Sequence, residues 1–266
     1  MMEPKMINAL AEALFVEHKA AKPYHSFEES IRSASLRNAY LIQEALLKLF
    51  MEAKRGSLAG YKIALTSKAM QELCGVDQPL AGAILSSVIH QSPVKLTYAN
   101  FQHLGVEFEV AVKLGDDLPA SSAPHTRQSV ATAIAACMPS FELIEDRHAD
   151  YRKLDAFTLV ADNCWNGAVV LGTPVTDWHR LDLENAPTRL QLNDEPAGEG
   201  RVGDAMGHPF EAVAWLANLL NRQGRLLQRD MLIMTGSSIK TKFPNAGDTL
   251  YFQIEGMGGV RLELTH

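Results

Sequence analysis

Cysteine is scarce in this chain of 266 residues: Cys74, Cys137 and Cys164 stand far apart and form no CxxC pair. A disulfide scaffold is thereby excluded, and the three thiols read as small buried hydrophobes in a reducing compartment. Positive charge is in deficit as well. Lys and Arg total 25 against 31 acids, a net charge of -6 and a pI of about 5.8. No basic field exists to hold a phosphate backbone, so nucleic acid is not an expected partner. Long apolar runs are missing too. The N-terminal stretch carries charges throughout and is neither a signal peptide nor a membrane span, which leaves a cytoplasmic protein as the expectation. The nine histidines show no HExxH spacing, and no G-x-S-x-G elbow or Walker loop occurs. Zinc hydrolase, serine hydrolase and kinase chemistry have no residues to stand on. There is no repeat and no low-complexity tract.

What is present is ordinary globular composition, 47% hydrophobic and 21% charged, with enough apolar surface for a sizeable core. The length suits one large domain with a helical appendage. We expect a helical region over 1–58 and a catalytic region over 59–266. Helical periodicity marks Ile7 to Val16 and Leu36 to Ala53, with Gly56 placed to cap the second. Further helices are expected at about Arg127 to Met138, ending before Pro139, and at Pro209 to Arg222, ending at Gly224. Period-two alternation marks strands at Tyr61 to Thr66, Val106 to Val112 and Phe141 to Ile144. Later ones are expected at Met231 to Met234, Thr249 to Ile254 and Val260 to Leu264. Irregular spacing without a βαβ rhythm points to an α+β or β-roll architecture, not a doubly wound sheet.

The most informative spacing is Glu107-x-Glu109. On a strand, residues two apart share a face, so the two carboxylates stand side by side while Phe108 and Val110 face the other way. Adjacent anions repel, and burying either is costly without compensation. Glu142 lies amid Phe141, Leu143 and Ile144 on another strand. Three carboxylates with no clustered His or Cys would hold a hard cation, Mg²⁺ first and Mn²⁺ second. An edge strand whose acids simply face water has the same pattern. Lys62, between Tyr61 and Ile63, is either a desolvated acid–base group or a lysine that snorkels to solvent. The Gly236-Ser237-Ser238 turn offers hydroxyls and backbone N–H groups suited to a carboxylate, and is equally an ordinary strand-end turn. Asp162-Asn163 can brace a loop through side-chain to backbone bonds or touch a substrate.

Taken in order, these segments resemble the 2-keto-4-pentenoate hydratase and 4-oxalocrotonate decarboxylase group of the fumarylacetoacetate hydrolase family. The matching stretches are Gly60-Tyr61-Lys62-Ile63-Ala64-Leu65-Thr66-Ser67, Gly75-Val76-Asp77-Gln78-Pro79 and Glu107-x-Glu109. They continue through Phe141-Glu142-Leu143-Ile144-Glu145-Asp146-Arg147, Val160-Ala161-Asp162-Asn163, Ala212 to Asn218 and Ala246-Gly247-Asp248. The resemblance implies a mixed β-roll with peripheral helices and Mg²⁺ or Mn²⁺ held by Glu107, Glu109 and Glu142. It implies Lys62 as the catalytic lysine, and Leu65, Asp77, Asn163 and Ser237 at the substrate. It further implies a homo-oligomer, sometimes associated with a partner enzyme of its pathway, acting on a small 2-oxo- or 2-hydroxy-enoate from aromatic catabolism. The leading activity is hydration of 2-hydroxy-2,4-dienoates. Decarboxylation of 2-oxo-3-enedioates is the close alternative, with acylpyruvate hydrolysis and a non-catalytic partner subunit behind it. Two positions depart from the hydratase pattern: Leu80 stands where an acid is usual, and Trp165 where a small hydroxylic residue is usual.

Overall fold

The computed structural model describes residues 2–266, and among them run seven α-helices and twelve β-strands. The helices are α1 (Pro4–Lys19), α2 (Glu29–Arg32), α3 (Leu36–Glu52), α4 (Lys68–Leu73), α5 (Arg127–Ala131), α6 (Ala156–Ala161) and α7 (Pro209–Arg222). The strands are β1 (Leu58–Ala64), β2 (Leu80–Leu85), β3 (Ile89–Gln91), β4 (Val94–Thr97), β5 (Leu104–Leu114) and β6 (Ile134–Glu145). They continue with β7 (Asn166–Leu171), β8 (Pro187–Leu192), β9 (Glu195–Arg201), β10 (Leu232–Ser237), β11 (Thr249–Ile254) and β12 (Gly258–Thr265). No helix among the described residues is long and apolar enough to cross a membrane.

Two mixed sheets carry the fold, an α+β arrangement. One has the strand order β2-β1-β10-β5-β6-β7-β3, the other β4-β12-β11-β8-β9. They meet face to face through Phe108 on β5, Phe141 on β6 and Phe252 on β11, three fully buried rings with centroids 5.7–6.3 Å apart. Strand alternation then dictates the rest. Because Phe108 and Phe141 point into the space between the sheets, Glu107, Glu109 and Glu142 project from the opposite face.

That face is concave. Along the strand register Lys62 lines up with Met234, then Ala111, then Met138, four residues short of Glu142. In a flat sheet β1 and β6, three places apart, would lie about 14 Å from each other. Yet Lys62 Nζ sits 2.6 Å from Glu142 Oε1, so the sheet has rolled up around this face. A register break between Met234 and Ser237 lets β10 bend there. Gly236 occupies the break at φ +107°, where a Cβ would lie 2.6 Å from Thr66 Cγ2, so only glycine is accommodated.

The N-terminal helices share the main core. α1 buries Ile7, Ala11 and Leu14, and α3 buries Ala39, Ile42, Leu46 and Phe50, each at helical spacing. Residues of both belong to the same apolar cluster as β5 and β6. α3 ends earlier than the expected Gly56 cap. Lys54 takes the left-handed position at φ +61°, its N–H bonds Met51 O, and the Arg55 N–H bonds Phe50 O. Gly56 instead lets the chain pass β2's end, where a Cβ would be 2.5 Å from Ser86 Oγ. At α7 the expected stop holds: Gly224 N–H bonds Asn221 O and Arg225 N–H bonds Leu220 O.

The expected helix over 127–138 is corrected. Thr126 caps a helix of one turn, α5, and from Ile134 the chain is strand β6, paired with β5 on one side and β7 on the other. Sheet pairing overrides an alanine-rich local preference. Pro139 is tolerated inside β6 because its carbonyl faces Gly172, just beyond the end of β7. The missing N–H therefore falls in the irregular stretch between Gly172 and Val175, where the chain next pairs with Cys137.

Candidate metal and substrate site

Glu107 and Glu142 stand directly opposite each other in the β5–β6 register, and Glu109 lies two residues along the same face. One carboxylate oxygen from each can be chosen so that all three lie within 4.8 Å of one another. Glu109 and Glu142 are buried, Glu107 half-buried at the edge of a cavity. Glu107 Oε1 accepts from the Thr241 hydroxyl at 2.8 Å, and Glu109 Oε2 accepts from the Gly236 N–H at 2.8 Å. Glu109 Oε1 and Glu142 Oε2 are buried and receive no hydrogen bond.

Electrostatics follow from this crowding. Burial, then the Glu142 and Glu107 carboxylates, push Glu109 well above the usual carboxylate range, with the Gly236 N–H opposing. Glu142 is pushed up to about 7, by burial first and with Lys62 opposing. For Lys62, burial favours the neutral amine, but Glu142 and Glu107 outweigh it and the pKa is raised. The ammonium is thus held charged by its acids, while the acids as a group lack positive charge. Orphaned oxygens on an all-carboxylate donor set are what a hard divalent cation satisfies, and these residues fit one.

Lys62 is 2% exposed. Besides its contact with Glu142, its Nζ donates to the backbone carbonyl of Cys164 at 3.0 Å. The Cys164 thiol is pushed up to about 12 by burial and is no nucleophile. The cavity beside these groups measures about 700 Å³ and lies under three covers. α4 contributes Met70, the 151–165 segment contributes Tyr151, Leu154, Leu159 and Trp165, and the 237–243 segment contributes Ile239 and Phe243. One end is therefore charged and the walls are mostly apolar, the usual build of a small-molecule site.

The structure brings Lys62, Glu107, Glu109, Glu142, Leu65 and Ser237 together. Leu65 lines the cavity at φ +57°, with its carbonyl held by the Gln71 side chain at 2.9 Å. Ser237 lines it too, but its hydroxyl donates to Ile239 O at 2.6 Å and accepts from the Phe108 N–H at 2.8 Å. The turn's Gly236 and Ser238 N–H groups bond Glu109 and Phe108 O. The turn therefore fastens β10 to β5, and the carboxylate it holds is the protein's own.

Two expected substrate residues lie elsewhere. Asp77 is exposed on the turn before β2 and does not line the cavity. Asn163 is buried and braces the backbone: Oδ1 accepts from Ala83 N–H at 2.7 Å and Nδ2 donates to Ala83 O at 2.9 Å. Leu80 is fully buried at the start of β2, away from the cavity, so an apolar residue there removes no group from the site. Sequence reasoning missed the Cys164 carbonyl, Tyr151, Leu154, Leu159, Met70 and Phe243. All come from loops or short helices whose fold-back over the sheet leaves no periodic signal.

Comparison with known proteins identifies the family and the fold. The fumarylacetoacetate (FAA) hydrolase C-terminal family matches residues 76–265. The chain is 32% identical over 267 residues to 2-hydroxyhexa-2,4-dienoate hydratase of Comamonas testosteroni, covering 100% of both chains. It is 29% identical over 262 residues to 2-keto-4-pentenoate hydratase of Paraburkholderia xenovorans strain LB400, covering 98% of this chain and 96% of that one. Among solved structures, 4-oxalocrotonate decarboxylase from Pseudomonas putida G7, complexed with magnesium and adipate, superposes with a TM-score of 0.91. That likeness covers 99% of each chain at 24% identity and is one of fold. By the family match over residues 76–265 and the full-length relative at 32% identity, the chain belongs to the fumarylacetoacetate hydrolase family.

Proposed function

We propose that the protein is a lyase, a hydratase that adds water to 2-hydroxy-2,4-dienoates and releases 4-hydroxy-2-oxo acids, with Mg²⁺ or Mn²⁺ as its cofactor. The observation that carries the reading is the trio Glu107, Glu109 and Glu142, with two orphaned buried oxygens, next to Lys62 at the charged end of a largely apolar cavity. The full-length relative named as a 2-hydroxyhexa-2,4-dienoate hydratase supports the same substrate class.

When bound, a divalent cation supplies Lewis acidity toward the oxygens of a 2-oxo acid. Glu107, Glu109 and Glu142 would hold that cation, with Glu107 at the edge of the cavity. Lys62 has three donors, of which Glu142 and the Cys164 carbonyl take two. The third is free for the substrate: Lys62 gives that proton to the terminal diene carbon, and the amine so formed takes up the proton of the C2 hydroxyl. The product of this ketonisation is an α,β-unsaturated ketone, to which water then adds OH at C4 and H at C3. Tyr151, Leu154, Leu159 and Trp165 wall the apolar tail and limit access of bulk water. Assembly as a homo-oligomer belongs to the same reading.

The test is an assay with 2-hydroxypenta-2,4-dienoate, 2-hydroxyhexa-2,4-dienoate and a diacid analogue, each with Mg²⁺, with Mn²⁺ and with chelator. Loss of the dienol without carbon dioxide release, abolished by chelation, is the expected result. Carbon dioxide release from the diacid, with the dienols untouched, would assign the decarboxylase alternative instead.

A further inference from the structure

Three consecutive residues beside the site, Asn163, Cys164 and Trp165, are left-handed, at φ +54°, +49° and +56°. Asparagine tolerates this region, whereas a cysteine and a tryptophan in it are held there by their surroundings. Contacts on three sides do the holding. Asn163 makes two hydrogen bonds to the backbone of Ala83 in β2, at 2.7 and 2.9 Å. The preceding residue, Asp162, is buried between Arg147 and His18. The indole of Trp165 meets Tyr24 and Tyr151 edge-on, at 5.2 and 5.6 Å.

The consequence falls on Lys62. The left-handed turn directs the Cys164 carbonyl at Lys62 Nζ, 3.0 Å away. It comes this close because Gly82, register partner of Lys62, has no side chain. A Cβ at Gly82 would be 2.7 Å from Asn163 O, 3.0 Å from Lys62 Cδ and 3.1 Å from Cys164 Cβ. We propose that Asn163 and Gly82 are positioning residues for Lys62: through the left-handed turn they fix the Cys164 carbonyl as the ammonium's second anchor and so aim its remaining donor into the cavity. Without that anchor, Lys62 keeps only Glu142 and can swing toward it, away from the reacting carbons. The inference rests on the reading of Lys62 as the proton carrier. It builds on the bracing reading of Asn163 and not on the substrate contact that the resemblance implies.

The experiment is a double-mutant cycle on the full chain with Mg²⁺, combining Asn163→Ala with Lys62→Met and reading kcat, KM and, by calorimetry, Mg²⁺ affinity. With Lys62 present, Asn163→Ala should lower kcat by about 100-fold, the scale of an ångström's misplacement, while KM and Mg²⁺ affinity move by less than about threefold. In the Lys62→Met background the same change should cost less than about twofold, because its effect passes through the lysine. Gly82→Ala, which displaces the turn from the other side, should give the same pattern. It replaces Asn163→Ala in the cycle if that protein fails to bind Mg²⁺. Equal losses of kcat in both backgrounds, or an undiminished kcat in a metal-binding Asn163→Ala or Gly82→Ala protein, would overturn the proposal. Failure of the underlying reading looks different: Lys62→Met alone would then leave kcat unchanged.

Discussion

The backbone N–H of Gly236 donates to Glu109 Oε2 at 2.8 Å and leaves Oε1 of the same carboxylate buried with no partner. One oxygen is thus anchored by the bend in β10 while the other is presented to the neighbouring acids. Glu109→Gln separates these roles, since the glutamine oxygen still accepts from Gly236 while the NH₂ group that replaces Oε1 cannot ligate a cation. We expect the variant to fold, to lose Mg²⁺ affinity by at least about 100-fold in calorimetry, and to melt higher than the chelated wild type. The gain in melting temperature comes from removing one of three crowded anions. A variant that bound Mg²⁺ as the wild type does would place the cation elsewhere.

The same crowding sets a pH dependence. Glu142 is pushed up to about 7, from an ordinary 4.5, chiefly by burial. In the metal-free protein the folded state therefore holds a proton, between those two values, that the unfolded state has released. Stability falls as pH rises through this window, by on the order of 3 kcal/mol for a shift of that size. The upward shift of Glu109 acts in the same sense. With chelator present, the melting temperature of the wild type should drop relative to Glu142→Gln between about pH 5 and about pH 8. Saturating Mg²⁺ should flatten the profile, and binding at about pH 6 should release protons, seen as buffer-dependent heats. A difference between the two proteins that did not vary with pH would contradict this account.

How much of this was legible in the sequence depended on the range of the interaction that decides each element. α7 and α3 announce themselves because helix periodicity and termini are local, although Lys54 took the cap from Gly56. Glu107 and Glu109 could be placed on one face from alternation alone. Their meeting with Glu142 needed the β5–β6 register, which no single strand encodes. The stretch 134–138 looked helical because its alanines suit a helix, and it is a strand because β5 and β7 flank it. Asp77 and Asn163 carried side chains suited to a substrate. One faces solvent and the other spends its amide on Ala83, distinctions made only by the tertiary fold.

Arg147 and Asp162 form a buried ion pair under the site, with His18 of α1 on the other carboxylate oxygen at 2.6 Å. Arg147 is 1% exposed, and its remaining side-chain hydrogen bond goes to the Lys22 carbonyl. Asp162→Asn leaves that guanidinium buried without a counter-charge, a loss of about 3–5 kcal/mol by analogy with broken buried pairs. Through His18 on Asp162, the pair is tied to α1, so denaturant unfolding should show the loss in full. His18→Ala, which leaves the Arg147–Asp162 pair intact, should cost less. A variant Asp162→Asn as stable as wild type would show that Arg147 finds another partner.

Trp165 lines the large cavity on one side and, on the other, a second cavity of about 130 Å³ bordered by His18, Arg55, Asp162 and Asn166. Trp165 is the residue common to both linings. In Trp165→Ala the two spaces should join, lengthening the apolar end of the site without touching the glutamates or Lys62. The expected result is a change in preference: kcat/KM for a dienoate with a longer alkyl tail should rise relative to 2-hydroxypenta-2,4-dienoate by roughly 10-fold, the worth of about one methylene of pocket. Because Asn163 keeps its bonds to Ala83 and the Cys164 carbonyl stays on Lys62, kcat for the short substrate should fall much less than in Asn163→Ala. Parallel decline for short and long tails would mean that Trp165 supports the left-handed turn and does not bound the substrate. In that case the tail runs instead toward Met70 and Phe243, which line the same cavity from the other covers.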